Sequence, residues 1–419
     1  MTDWPAPRPS GRLDATVVLP GSKSQTNRAL VLAAIADGPS EVHLPLVARD
    51  TELMASALES LGARIERGSR TWTVTPIEPV ASATVDCGLA GTVMRFVPPV
   101  AALGAADVRF DGDPRARERP MGTTISSLRD LGVRVDDDGR GSLPFTVHGN
   151  GGVRGGALTV DASASSQFVS ALMLVAPRFA EGLNLRHEGG TLPSLPHVAM
   201  TVTELRRRGV VVDESEARWH VQPGPVKALD VTIEPDLSNA GPFVAAALAT
   251  GGQVRVQHWP DHTDQAGDDW RRLAWAFGGN ATREGEDLVF IGPARLRGVD
   301  LDLHDVGELT PVVAALAALA SGPSTITGVA HLRGHETDRL AALATEINRL
   351  GGDVDELPDG LVIRPAPLHG GSFATYDDHR MAHAGAVIGL CVDDVVIEDI
   401  GTTAKTYPGF ADDWTRMMP

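Results

Sequence analysis

The sequence predicts an α/β protein of two domains, each built from three repeats in which buried helices lie inside and strands lie outside. One phrase recurs about every seventy residues, and an apolar run headed by polar residues stands upstream of each copy. Strand-like segments alternate with two kinds of helix: one apolar on nearly every side, the other amphipathic. A doubly wound sheet would place amphipathic helices outside, so a fully buried helix in each repeat favours helices inside and sheets outside.

The repeats are marked by two sets of segments. The recurring phrase reads LGARIERG from Leu61, LGVRVDDD from Leu131, RGVVVDES from Arg208, FGGNATRE from Phe277 and LGGDVDEL from Leu350. The apolar runs are SKSQTNRALVLAAIA from Ser22, GTVMRFVPPVAALGA from Gly91, SSQFVSALMLVA from Ser165, SNAGPFVAAALA from Ser238, ELTPVVAALAALA from Glu308 and DHRMAHAGAVIGL from Asp378. Six such units on one chain indicate two domains of three.

Proline and glycine mark the expected domain boundaries. Residues 20–228 hold repeats one to three, and residues 1–19 with 229–419 hold repeats four to six. The strand Leu13–Leu19 precedes the first repeat and can complete the other domain. For the Pro-rich start, residues 1–10, an unordered arm is the default expectation.

Composition excludes several classes of protein. The 37 Lys and Arg against 54 Asp and Glu leave a net charge of −17, which argues against general affinity for nucleic acid or an anionic membrane. Two cysteines exclude a disulfide framework and a CxxC zinc site. No apolar run is long enough to span a bilayer, and the first residues do not form a secretory signal, so we expect a cytoplasmic protein.

Polar residues collect where the predicted helices begin. If the buried helices of a domain run parallel, their N-termini share one face, which favours anions through unpaired N–H groups and the helix dipole. The residues at these positions are Lys23, Ser24, Arg28, Gly91, Arg119, Ser165, Ser166, Gln167, Ser194, His197, Glu308, His335, Glu336, Arg339, Asp378, His379, Arg380 and Lys405. Only three lysines occur among the 37 cationic residues, and two of them are in this set.

Each feature also has a simpler explanation. A serine at a helix start is usually only an N-cap, and Glu336 with Arg339 fits an ordinary i, i+3 surface pair. His379 and His383 have a metal-compatible spacing, but no Glu or Cys supports them, so we expect no metal. The recurrence of such clusters in five of six repeats favours a binding face, and the fourth repeat lacks a cation in either position.

The motifs PGSKSQTNR, AGTVMR, RERPMG, SSQF, GHETDR, DDHRMA and AKTYPGF occur in the order and spacing of one family. Across essentially its whole length the chain resembles 5-enolpyruvylshikimate-3-phosphate synthases. The resemblance implies an inside-out α/β barrel of two domains, each with three βαβαββ units, and an active site in the interdomain cleft. It implies transfer of the enolpyruvyl group of phosphoenolpyruvate to the 5-hydroxyl of shikimate 3-phosphate, releasing phosphate through a tetrahedral intermediate. We expect a monomer with small-molecule partners and no metal or organic cofactor.

The resemblance also implies roles for individual residues. Phosphoenolpyruvate would be held by Lys23, Gly91, Arg119, Gln167, Arg339, Arg380 and Lys405. Shikimate 3-phosphate would be held by Lys23, Ser24, Arg28, Ser165, Ser166, Gln167, Ser194, Glu308 and His335. Glu308 would accept the hydroxyl proton, and Glu336 would protonate and later deprotonate C3, with Lys23 and Lys405 assisting.

Several positions depart from the commonest family pattern. Glu308 replaces Asp, His335 replaces Lys, His197 replaces Tyr, His331 replaces Asn, and Leu89 replaces Asn. The three histidines predict a pH–rate profile different from that of enzymes with Lys and Tyr.

Three other functions compete with this interpretation. The enolpyruvyl transferase that acts on UDP-N-acetylglucosamine shares the fold but carries Cys, or rarely Asp, in the loop matching DGDPRARERP, where this chain has no Cys. A non-catalytic phosphoanion-binding protein would not need catalytic residues, whereas this chain has a chemically suitable residue at every catalytic position that the resemblance implies. A phosphotransferase would need a nucleotide loop and a carboxylate pair for Mg²⁺, which the sequence lacks.

Overall fold

The computed structural model describes residues 3–80 and 82–418. The chain divides into two compact units. The first-half unit spans Gly21–Glu234, and the second-half unit combines the residues up to Pro20 with Pro235–Pro419. Each unit has its own hydrophobic core. Within the described residues, no helix has the length and apolar character needed to cross a membrane.

The first part of the chain contains fourteen strands and six α-helices. In chain order they are β1 (Trp4–Pro5), β2 (Asp14–Val17), α1 (Lys23–Ala34), β3 (Ser40–His43), α2 (Arg49–Ser60), β4 (Arg64–Arg67), β5 (Thr71–Thr75), β6 (Ser82–Asp86), α3 (Gly91–Ala101), β7 (Asp107–Asp111), α4 (Gly122–Asp130), β8 (Arg134–Asp136), β9 (Phe145–His148), β10 (Gly156–Val160), α5 (Gln167–Val175), β11 (Leu183–His187), α6 (Leu195–Arg207), β12 (Val212–Ser215), β13 (Arg218–Val221) and β14 (Val231–Thr232), all within the described residues.

The second part repeats the same kinds of element. They are α7 (Gly241–Thr250), β15 (Gln253–Val256), α8 (Trp270–Ala276), β16 (Asn280–Glu284), β17 (Asp287–Ile291), β18 (Asp300–Asp302), α9 (Thr310–Ala318), β19 (Ser324–Thr327), α10 (Arg339–Arg349), β20 (Asp353–Leu357), β21 (Gly360–Arg364), β22 (Gly371–Phe373), α11 (His379–Gly389), β23 (Val395–Ile397) and α12 (Phe410–Arg416). Short 3₁₀ helices at Pro114–Glu118, Ala176–Arg178, Ala266–Asp269, His304–Leu309, Ala330–Gly334 and Ile400–Lys405 lie between them.

Among the described residues, five sheets share one four-stranded pattern, which is the structural form of the repeat. In the second repeat β6 pairs in parallel with β7, β7 pairs antiparallel with β9, and β9 forms a hairpin with β8. Helix α3 connects the parallel strands, and all of its residues are buried. The same is true of α9 and α11 in the second-half unit. Helices buried on every side with sheets around them confirm the predicted arrangement.

Two strands are exchanged between the halves of the chain. The expected strand at Leu13–Leu19 is realised as β2, which pairs with β15 in the fourth repeat. Strand β14 pairs reciprocally with β3 in the first repeat. Because β14 belongs to the sheet of β3, the chain changes units after Glu234, and residues 229–234, expected in the second domain, lie in the first-half unit.

The N-terminal segment is not an unordered arm over its described residues. Trp4 and Pro5 form β1, which pairs antiparallel with β23 and completes the sixth sheet. Ala6 continues this contact, since its N–H donates to the carbonyl of Val395 at 2.9 Å. A Cβ at Gly389 would lie 2.4 Å from the Ala6 Cβ, so this glycine makes room for the segment. Strand β1 takes the place of the hairpin that the sixth repeat lacks in the described residues.

Candidate active site

The first turns of the three buried helices of the first-half unit contact one another. Asn27 Nδ2 in α1 donates to Thr92 Oγ1 in α3 at 2.7 Å. The guanidinium of Arg95 in α3 lies 5.8 Å from the ring centroid of Phe168 in α5. The helices therefore begin on a common face, as predicted, and their N-terminal dipole charges add there.

Lys23 is the first residue of α1, after the N-cap Ser22, and its Nζ lies 3.3 Å from Asp50 Oδ2. Asp50 is buried in the first turn of α2. Sequence reasoning missed Asp50, and its place in the first turn of the helix after a predicted strand was the available signal. The carboxylate keeps the ammonium near the helix start and reduces the charge it offers to a ligand.

Arg28 is almost fully buried and links three helices. Its Nε donates to Thr201 Oγ1 at 2.8 Å, and its Nη2 to the carbonyl of His197 at 2.8 Å and to Ser170 Oγ at 3.3 Å. Its Nη1 donates to the carbonyl of Ser24 at 3.0 Å. Burial lowers its pKa to about 10, which Glu204 partly offsets. Four of its five N–H donors are thus used within the protein, where they join α1 to α5 and α6.

The guanidinium of Arg119 lies against Gly91 at the start of α3. A Cβ at Gly91 would lie 3.1 and 3.3 Å from the two terminal nitrogens of Arg119 and 3.2 Å from Arg95 Nη1. Arg119 Nη1 donates to the carbonyl of Leu89 at 3.3 Å. Arg95, which sequence reasoning did not select, donates to the carbonyl of Gly91 at 3.3 Å. The sequence did contain a signal for Arg95, because it lies one turn into a helix whose other residues are uncharged.

The start of α5 places three predicted residues in succession. Ser165 Oγ accepts a hydrogen bond from Gln167 N at 3.3 Å, and Ser166 is the N-cap. Gln167 Oε1 is buried without a hydrogen-bond partner among the described residues. Ser194, the N-cap of α6, has a φ of 55°, a conformation that a residue other than glycine adopts only at a cost. An unpartnered buried oxygen and a strained serine are both features of ligand-binding sites.

In the second-half unit, Glu336 lies between two cations. Its Oε1 accepts from Lys405 Nζ at 2.6 Å and its Oε2 from Arg339 Nη2 at 3.1 Å. All three side chains are more than nine-tenths buried. Charge-assisted hydrogen bonds of this kind are strong where water is excluded. The simple surface pair considered for Glu336 and Arg339 is therefore wrong, because both residues are buried.

Asp378 fixes the other side of the Arg339 guanidinium. Arg339 Nε and Nη2 donate to Asp378 Oδ2 at 2.7 Å and Oδ1 at 3.1 Å. Asp378 is also the N-cap of α11 and accepts from Arg380 N at 2.9 Å. Burial alone would lower the pKa of Arg339, but Asp378 and Glu336 outweigh burial and raise it.

The buried helices of the second-half unit also begin together. Ser238, just before α7, accepts from Arg380 Nη1 of α11 through its carbonyl at 2.9 Å. Glu308 lies just before α9, and its Oε1 accepts a hydrogen bond from Ser238 Oγ at 3.3 Å. Burial lowers the pKa of Arg380, and Asp236 partly offsets this. Asp236 was a further residue that sequence reasoning missed.

Two of the three histidines predicted to distinguish this chain, His331 and His335, are neighbours in the second-half unit, whereas His197 lies in α6 of the first-half unit. The ring centroid of His331 is 6.2 Å from that of His304 and 5.9 Å from that of His335. His335 Nδ1 lies 3.3 Å from Arg339 Nη1. Among the described residues, no three His, Cys, Asp or Glu side chains are placed to hold a metal ion.

Comparison with known proteins identifies the family. The family model described as EPSP synthase (3-phosphoshikimate 1-carboxyvinyltransferase) matches residues 7–414. The chain belongs to the EPSP synthase family. A 3-phosphoshikimate 1-carboxyvinyltransferase of Kocuria rhizophila is 57% identical over 429 residues, covering 99% of this chain and 96% of that protein. Family membership confirms the predicted activity, enolpyruvyl transfer from phosphoenolpyruvate to shikimate 3-phosphate in aromatic amino-acid biosynthesis.

Two solved structures show the same fold. An EPSP synthase from Acinetobacter baumannii has a TM-score of 0.81 at 22% sequence identity, covering 99% of this chain and 98% of that one. The enolpyruvyl transferase NikO from Streptomyces tendae has a TM-score of 0.74 at 17% identity, covering 98% and 96%. At these identities the likeness concerns the fold, and it confirms the inside-out α/β architecture expected of an EPSP synthase.

Proposed function

We propose that the two sets of helix-start residues carry out the EPSP synthase reaction, with Glu308 and Glu336 as the proton-transferring groups. The arrangement of Lys405, Glu336, Arg339 and Asp378 supports this most directly. A carboxylate between two buried cations, beside the N-terminus of a buried helix, combines anion binding with proton transfer.

Binding follows the charges of the substrates. Arginine forks suit the carboxylate and phosphate of phosphoenolpyruvate. The proposed ligands of phosphoenolpyruvate are Lys23, Gly91, Arg119, Gln167, Arg339, Arg380 and Lys405. The proposed ligands of shikimate 3-phosphate are Lys23, Ser24, Arg28, Ser165, Ser166, Gln167, Ser194, Glu308 and His335.

The proposed chemistry has two steps. Glu308 takes the proton of the 5-hydroxyl while that oxygen bonds to C2 of phosphoenolpyruvate and C3 receives a proton from Glu336, assisted by Lys405 and Lys23. In the second step C3 returns a proton to Glu336 and the bond from C2 to the phosphate oxygen breaks. Product and phosphate then leave the site.

The monomeric state and the cytoplasmic location of the protein remain predictions.

Phosphate release tests the proposal. The chain is supplied with phosphoenolpyruvate and either shikimate 3-phosphate or UDP-N-acetylglucosamine. Release only with shikimate 3-phosphate is expected, and release only with the nucleotide sugar would show that the acceptor is wrong. Silence with both, from folded protein, would favour a phosphoanion-binding protein without activity.

The chain offers a matched pair of lysine variants. Lys405→Met removes the cation beside Glu336, whereas Lys227→Met removes an exposed lysine outside the proposed site. We expect Lys405→Met to lose most of its turnover and Lys227→Met to keep it. Equal activities would contradict the proposed role of Lys405.

A further inference from the structure

The chain turns sharply between β22 and α11, just before the N-cap Asp378. Asp378 N donates to the carbonyl of Thr375 at 2.9 Å. The two residues between them, Tyr376 and Asp377, both have a φ of 55°. A positive φ at both central positions is the pattern of a type I′ turn, in which Gly, Asn and Asp predominate. A tyrosine at the first of these positions is therefore unfavourable unless other contacts hold it there.

Glu346 holds this turn from α10. Its side chain is fully buried, and its Oε1 accepts from Tyr376 Oη at 2.6 Å. Its Oε2 accepts from Ala374 N at 3.0 Å and from Arg349 Nη1 at 2.8 Å. Partial burial and the bond to Glu346 raise the pKa of Tyr376 to about 12, so the hydroxyl keeps its proton and donates. A buried carboxylate thus fixes the turn through one side chain and one backbone N–H.

The same helix contacts the far end of the turn. Arg339, the first residue of α10, donates to Asp378 at 2.7 and 3.1 Å. Glu346 follows Arg339 by about two helical turns, so both side chains lie on one face of α10. Asp378 also accepts from Arg380 N at 2.9 Å, at the start of α11. The conformation of the turn therefore decides where Asp378 meets Arg339 and where α11 begins.

We propose that Glu346 is a positioning residue for the binding of phosphoenolpyruvate. It holds the turn in its left-handed conformation, which presents Asp378 to Arg339 and places Arg380 at the start of α11. The inference rests on the proposed function, in which Arg339 and Arg380 hold phosphoenolpyruvate. Without Glu346 the turn would relax toward negative φ, and both guanidinium groups would lose their set positions relative to the substrate.

Two single variants remove the contacts in steps. Tyr376→Phe loses the hydroxyl alone, whereas Glu346→Met loses both acceptors and keeps an unbranched side chain that suits a helix. Because Tyr376→Phe loses one hydrogen bond, we expect it to raise KM for phosphoenolpyruvate about three- to tenfold, and Glu346→Met to raise it further. We expect kcat and KM for shikimate 3-phosphate to stay within about twofold of wild type, since the lost interaction is one of ground-state binding.

Tyr376→Gly supplies a rescue that a purely structural role for Glu346 would not show. Tyr376 is 40% exposed, so its ring contributes little to the core. Glycine adopts a positive φ without steric cost, so a turn with glycine at this position needs less support from Glu346. In the Glu346→Met background, Tyr376→Gly should therefore lower KM for phosphoenolpyruvate toward the wild-type value.

Arg349→Met is the matched control. It removes the third partner of Glu346, whose side chain is 46% exposed, and leaves both contacts between Glu346 and the turn. We expect this variant to keep the wild-type KM for phosphoenolpyruvate. A rise as large as that of Glu346→Met would mean that the charge of the pair, and not the turn, matters.

Two further results would overturn the inference while leaving the proposed function intact. One is an unchanged KM for phosphoenolpyruvate in both Tyr376→Phe and Glu346→Met, and the other is a raised KM in Glu346→Met that Tyr376→Gly does not lower. Tyr376→Phe keeps the first comparison available if Glu346→Met does not fold. A wild type that releases no phosphate with shikimate 3-phosphate would instead overturn the proposed function, and this inference with it.

Discussion

Replacing Asp378 by Asn should weaken the second-half unit through a single buried charge. Asp378 is fully buried and accepts two hydrogen bonds from Arg339, at 2.7 and 3.1 Å. Asn has nearly the same shape and is as good an N-cap as Asp, so the start of α11 is preserved. The substitution therefore isolates the loss of charge and of one acceptor.

The expected cost follows from the contacts that remain. Removing one partner of a buried ion pair costs about 3–5 kcal/mol because the other charge is left uncompensated. Arg339 keeps Glu336 at 3.1 Å, and the Asn oxygen keeps one of the two bonds. We therefore expect the free energy of unfolding to fall by about 3 kcal/mol, the lower end of that range.

Urea unfolding monitored by tryptophan fluorescence measures this loss. The second-half unit contains buried Trp259, Trp270 and Trp414 as probes. Asp353→Asn is the control, because Asp353 pairs with Arg364 at 2.9 Å but its side chain is 52% exposed, and exposed pairs contribute little. A loss for Asp378→Asn no larger than that of the control would refute the argument from burial.

Four further predictions concern the site and pH. Gly91→Ala should push the Arg119 guanidinium aside by a few tenths of an ångström and raise KM for phosphoenolpyruvate several-fold with a smaller change in kcat, and an unchanged KM would contradict this. Glu336→Gln should lower kcat about 10²–10⁴-fold in the phosphate assay while equilibrium binding of substrates persists; lost binding would mean an organising role. Burial, with Arg380 and Arg339, holds the pKa of His383 well below its ordinary range, so the unfolded chain binds the extra proton and the wild type should lose stability as pH falls below about 6.5. In urea unfolding, the free energy of unfolding of His383→Phe should fall less between pH 7 and 5 than that of the wild type. That of the surface control His262→Gln should fall as much as the wild type, and an equal fall for His383→Phe and the wild type would contradict the prediction. His335→Lys should shift the pH–rate profile, and superimposable profiles would remove the role given to the histidine.

The sequence predicts the fold well because its signals are local and repeated. Apolar runs of helical length specify the buried helices, and the polar residue before each run specifies where the helix begins. The strand at Leu13–Leu19 stood outside the first repeat, and its pairing with β15 confirms that it completes the other half. Repetition supplied six versions of one pattern, so an error in one version had little effect.

Contacts between distant segments were beyond sequence reasoning. Asp50 and Lys23 are on different helices. Their spacing in the sequence does not show that the carboxylate of Asp50 faces the ammonium of Lys23. The pairing of Trp4 with Ile397 joins the two ends of the chain, where neither segment has a strong strand signal. Arg28 matched a family motif, but its burial and its bonds to Thr201 and Ser170 depend on how α1, α5 and α6 pack.

The buried carboxylates change how the site's charge must be understood. Lys23, Arg339 and Lys405 are proposed to hold the anionic substrates, yet each already contacts a buried carboxylate. An incoming phosphate or carboxylate would compete with Glu336 for Lys405 and Arg339. The ionised form of Glu336 would then lose the partners that stabilise it, and a proton on this carboxyl would become easier to hold. Substrate binding would thereby prepare Glu336 to act as the acid at C3, and the helix N-termini would supply the positive potential that the paired side chains no longer provide.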